Sequence, residues 1–76
     1  MNNEIEIKKS SKKVYKHIFC PKGVKYEVKN SNGGLLGGSW DLEAAKEIAR
    51  KKVAEYKDDK LNCHLKVWIE ELKEDL

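Results

Sequence analysis

The sequence predicts an α+β fold, an antiparallel sheet of three to four strands with one amphipathic helix packed on one face, in the order β-β-β-α-β. Three observations predict it. Two runs rich in β-branched and aromatic residues, KVYKHIFC and VKYEVK, flank Pro21, Lys22 and Gly23. Apolar residues over 42–56 recur at helical spacing. Leu61, Cys63, Leu65, Val67 and Ile69 then take alternate positions, as a half-buried strand requires.

Ile5 and Ile7 alternate with charged residues before the polar stretch KKSSKK. Such a segment is a frayed arm or a weak edge strand, and with so little apolar side chain to bury we expect a flexible basic arm over 1–12 and a single domain over 13–76. In the hairpin, proline suits the second position of a β-turn and glycine the fourth, which places the turn at 20–23. Counting outward pairs Phe19 with Val24, His17 with Tyr26 and Tyr15 with Val28, all on the face expected to lie under the helix. The other face receives Ile18 opposite Lys25 and Lys16 opposite Glu27, an opposite-charge pair.

Residues 30–34, NSNGG, form a second turn, and Leu35 and Leu36 a short third strand ended by Gly37 and Gly38. Asp41 is suited to the helix N-cap, Glu43 to its first turn, and Trp40 to a staple before the cap. Leu42, Ala45, Ile48, Ala49, Val53 and Tyr56 make one apolar stripe, with Lys46, Glu47, Arg50, Lys51 and Glu55 opposite and an end near Lys57. The last segment also fits a helix through Leu65, Trp68, Ile69, Leu72 and Leu76. Its β-branched alternation favours a strand over 61–70, with a coil or final turn over 71–76.

Composition excludes several classes. A chain of 76 residues with 38% charged and 39% hydrophobic side chains suits a small soluble globule. No apolar run approaches the roughly 18–20 residues of a membrane span, so no membrane partner is expected. The first residues carry acids where a signal peptide needs an apolar core, and two cysteines are too few for a disulfide framework; a reduced, cytoplasmic setting is expected. Charge is uneven: residues 1–29 hold eight lysines against three glutamates, 30–40 none, and 41–76 eight basic against ten acidic side chains. That asymmetry suits an acidic partner for the N-terminal half, or simply a solvated lysine face.

His17, Cys20, Cys63 and His64 supply zinc-ligand types, but in strands 17 and 20 point to opposite faces, as do 63 and 64, so no metal site is expected. Cys20 with His17 lacks a third orienting residue and a water-excluding pocket, so no catalytic residue, cofactor or enzymatic activity is expected. NGGLLGG fits neither a P-loop nor a dinucleotide fingerprint. What remains is the sheet face away from the helix. There Lys16, Ile18, Lys25 and Lys29, joined by Lys66 and Trp68 from the last strand, form a mixed apolar and basic binding surface.

VKYEVKNSNGG followed by SWDLEAAKEIARKKVAEY resembles the three-stranded-sheet-plus-helix domains of plant ethylene-response factors and the arm-binding domains of tyrosine integrases. In those families the sheet enters the DNA major groove, so the resemblance implies DNA contact by Lys16, Lys25 and Lys29. The single arginine, Arg50, lies on the helix, and lysine gives phosphate affinity with little base information.

The leading expectation is a small non-enzymatic interaction module that binds a protein partner. In size and plainness it resembles phage and mobile-element inhibitors of host or defence proteins, such as anti-CRISPR proteins. The alternative is nucleic-acid backbone binding through the lysine face, with Trp68 stacking on an unpaired base. A homodimer through edge strands or outer faces is a third.

Overall fold

The computed structural model of the chain describes residues 5–74. It is α+β: β1 (Glu6–Lys13), β2 (Tyr15–His17), β3 (Cys20–Val24), β4 (Tyr26–Asn30), β5 (Leu35–Ser39), α1 (Leu42–Lys57) and β6 (Val67–Lys73). A four-stranded sheet has the order β1-β6-β4-β5, and β2 and β3 form a separate two-stranded sheet. The larger sheet is mixed rather than antiparallel, because β1 runs parallel to β6.

The expected arm is therefore an edge strand from Glu6 onward; residues 1–4 lie outside the described residues. Its partner explains why. Ile7 stands opposite the buried Ile69, and Lys8 and Lys9 stand opposite Glu70 and Glu71. A segment that looks unable to bury anything by itself finds its apolar and charge complement some sixty residues away.

Helix α1 covers one face of the sheet. Val28, Ala45, Ala49 and Ile69 are the buried core, with Tyr26, Leu36, Leu42, Ile48 and Val67 packed around them. The two alanines let α1 approach closely, as the apolar stripe predicts. Asp41 occupies the N-cap in an extended conformation, but its side chain makes no capping bond. At the far end, Asn30 accepts from the N–H groups of Asn32 (3.0 Å) and Gly34 (2.9 Å) and donates to the Tyr56 hydroxyl (3.1 Å), tying the turn to the helix.

The hairpin differs from expectation. Its turn is centred on Ile18 and Phe19: His17 pairs with Cys20 and Tyr15 with Val24, so the pairs counted from a turn at 20–23 do not form. The Phe19 N–H donates to His17 Nδ1 at 3.1 Å, which closes the tighter turn. Pro21 lies inside β3, whose pairing is with β2 alone, so its missing N–H interrupts no ladder on the other side. Gly23, the supposed turn glycine, has φ +122 and is buried where Val14 Cγ1 and Trp40 Cε3 would meet a Cβ at 3.3 and 3.4 Å. Of the rings expected under the helix, Tyr26 packs there; Phe19 is in solvent, and Tyr15 turns to the opposite face.

The strand expected over 61–70 begins only at Val67. Asp59 takes over the preceding stretch, accepting from the Leu61 N–H at 3.0 Å and the Asn62 side chain at 2.6 Å, so residues 60–64 turn and Leu61 and Cys63 are exposed. From Val67 onward the expected facing holds, with Val67 and Ile69 toward the helix and Trp68 on the other side.

Candidate functional site

The sheet face away from α1 is built around Glu27, whose side chain is fully buried. Strand alternation puts Glu27 on the face opposite Val28, and register sets it against Glu70 on β6. Two neighbouring carboxylates would repel, and two cations and a phenol from three strands resolve this. Lys12 Nζ lies 2.9 Å from Glu27 Oε2, the Tyr15 hydroxyl donates to the same oxygen at 2.7 Å, and Lys29 lies 3.7 Å from Oε1 and 3.2 Å from Glu70. Oε1 accepts no hydrogen bond. Burial alone would raise the Glu27 carboxyl, but the bonds from Tyr15 and Lys12 and the charges of Lys12 and Lys29 together hold it below its ordinary value. Burial, then the bond to Glu27, pushes the Tyr15 hydroxyl from 10.0 to about 12.

Trp68 belongs to the same face. Its indole N–H donates to Glu70 at 3.0 Å and Lys8 Nζ stands 4.1 Å over its ring. The Trp68 bond and then Lys29 keep the Glu70 carboxyl below its ordinary value. Lys25 lies 3.5 Å from Glu74 and 5.7 Å from each of the Tyr26 and Trp40 rings. Three of the expected binding residues, Lys25, Lys29 and Trp68, are thus occupied within the molecule.

The other three lie apart from them. Lys66 sits just before β6 and exchanges backbone and side-chain bonds with Ser31, beside the Asn30 end of β4. Lys16 and Ile18 are on the hairpin beyond the Tyr26 end. Ile18, expected on the sheet face opposite Lys25, is instead at the hairpin tip, 82% exposed, beside Phe19 at 84%. The tilted His17 ring packs against Phe19 with centroids 5.6 Å apart. Lys16 and Lys22 flank the tip with no carboxylate partner among the described residues.

Sequence reasoning missed Phe19, which it assigned to the core, and Glu27, which it read as a partner for Lys16. The signal for Phe19 was present: Ile18 and Phe19 can be central turn residues as readily as Pro21 and Lys22, once Pro21 is allowed on an edge strand. Among the described residues no group of three or more His, Cys, Asp or Glu side chains is placed to hold a metal ion. Cys20 faces the Gly38 carbonyl at 3.9 Å, while Cys63 and His64 are in the turn at the other end of the sheet. No helix of the described residues is long and apolar enough to cross a membrane. Compared with known proteins, the chain matches no family model, no curated protein and no solved structure.

Proposed function

We propose that the chain is a small non-enzymatic interaction module that binds a protein partner through the β2–β3 hairpin tip. It acts by occupying the partner's surface, as phage and mobile-element inhibitors of host or defence proteins do. The observation that carries this reading is the near-complete exposure of Ile18 and Phe19 on a hairpin whose root, at Gly23 and Val24, is buried. Burying both side chains in a partner contributes about 3–5 kcal/mol. A rim ion pair adds about 0–1 kcal/mol. The apolar pair therefore supplies affinity, while Lys16 and Lys22 supply orientation and encounter rate toward an apolar recess edged with carboxylates. Contact with the His17 ring restrains Phe19 before binding and lowers the ordering cost.

Nucleic-acid binding through the sheet face has less support. Lys8 covers the Trp68 ring, and Lys25 and Lys29 face carboxylates instead of solvent. The test is a hairpin carrying Ile18→Ser and Phe19→Ser. Both positions are exposed, so folding stability should change by about 0.5 kcal/mol or less. Capture of the partner from a lysate of the source organism should be lost. Undiminished capture overturns the reading, and tight binding of a random oligonucleotide that collapses as salt rises would favour the phosphate alternative.

A further inference from the structure

A second surface lies on the other side of the sheet, away from the hairpin. Ile5, just ahead of β1, forms with Val53 and Ala54 of α1 the floor of an open groove of about 340 Å³, edged by Arg50 and Lys57. A neighbouring hollow of about 330 Å³ shares Ile5 and Arg50 and continues along β1 to Ile7 and Lys46. Each falls in the roughly 300–1,000 Å³ range of ligand sites. Beside the groove runs the outer edge of β1, which ends the sheet and pairs with β6 alone. Over residues 6–9, ahead of the irregularity where the Lys12 N–H turns to Ser10 Oγ, one row of its backbone N–H and C=O groups is therefore presented beside the apolar floor.

We propose that this groove and edge together bind an extended acidic peptide segment of another protein, added as a strand beside β1. Main-chain bonds to β1 would supply affinity. Alternate side chains would point toward α1, an apolar one onto Ile5, Val53 and Ala54 and a carboxylate to Arg50 or Lys57. Charge decides the occupant. Of the β1 lysines, Lys8 and Lys12 already serve Trp68 and Glu27, but Lys9 shares the Ile7 face, and three cations edge the groove, Lys46 being loosely held by Glu43 at 3.7 Å. A second copy of β1 would bring more lysines to these cations, whereas an acidic strand brings them carboxylates.

The test uses the full chain and a short fluorescent peptide in which every second residue is valine and glutamate in turn, with threonine between, so that one face carries both, followed by anisotropy and amide chemical shifts. Expected is saturable binding, shifts confined to residues 5–13 and 46–57, and a loss of about tenfold or more on N-methylation of alternate peptide amides. Arg50→Glu, at an exposed position, should cost a similar factor. The Ile18→Ser, Phe19→Ser chain should bind the peptide unchanged, so this surface and the hairpin tip succeed or fail separately. Equal binding of the same peptide with lysine in place of glutamate, indifference to N-methylation or to Arg50→Glu, shifts at the hairpin, or no saturation would each overturn the proposal. So would binding seen only after removal of residues 1–4, since the occupant would then be the chain's own terminus.

Discussion

Glu27 has neighbours that each solve part of the problem of burying a charge. Lys12 and Tyr15 share one carboxylate oxygen, at 2.9 and 2.7 Å, and Lys29 approaches the other at 3.7 Å. Removing one partner from such a group leaves a buried charge short of donors, which costs more than the bond is worth on balance. Tyr15→Phe should lower stability near neutral pH by about 1–2 kcal/mol. It should also change the alkaline limb. With its value moved from 10.0 to about 12, the folded chain holds in that window a proton that the unfolded chain releases, so stability falls as pH rises through it. In Tyr15→Phe that part of the decline should be absent; urea unfolding from neutral to strongly alkaline pH checks both effects. An unchanged limb would mean that the hydroxyl does not serve the carboxylate.

At the scale of elements, β5 shows how two layers meet on one strand. Gly37 leaves room for Ile48 of α1, whose Cγ2 lies 3.2 Å from where a Cβ would stand. Gly38, on the opposite face, leaves room for Val24, with Cγ1 only 2.8 Å from such a Cβ. Gly38→Ala should therefore destabilise by about 1–3 kcal/mol, and a double-mutant cycle with Val24→Ala should show coupling between the sites. Additive effects would contradict the contact. The glycine pair reads in the sequence as the end of a strand, because spacing records absence of a side chain but not what comes near. The helix, the 30–34 turn and the facing of Trp68 were legible, since each follows from periodicity or local turn chemistry. The hairpin register was not. Pro21 and Gly23 satisfy two different local arrangements, and the choice is made by Trp40 and Val14 packing on Gly23. Likewise the 60–64 turn rests on Asp59, whose capture of Leu61 and Asn62 no alternation reveals.

For the molecule as a whole, the first and last strands are one structural unit. β1 and β6 lie side by side, and β1 supplies Ile7 beside Ile69, Lys8 over Trp68 and Lys12 to Glu27. A domain beginning near residue 13 therefore lacks a strand rather than an ornament. A chain beginning at Val14 should lose cooperative thermal unfolding, because the core under α1 gains an open flank and Glu27 loses its closest cation. Calorimetry checks this, and a sharp two-state transition in the shortened chain would refute it. Pairing of such distant segments also explains why the candidate surfaces were only half visible. The expected basic face supposes lysines free to bind, yet Lys25 reaches Glu74 and Lys29 reaches Glu70, while Lys8 and Lys12 of the expected arm are held by Trp68 and Glu27.

Trp40 and Trp68 stand at different junctions. Trp40 leans on Gly23 at the hairpin root; Trp68, gripped by Glu70 and roofed by Lys8, sits on the seam between β1 and β6. The molecule thereby carries two native optical reporters. A shift in emission from the first registers movement of the hairpin, and a shift from the second registers parting of β1 from β6, with no foreign dye attached to either.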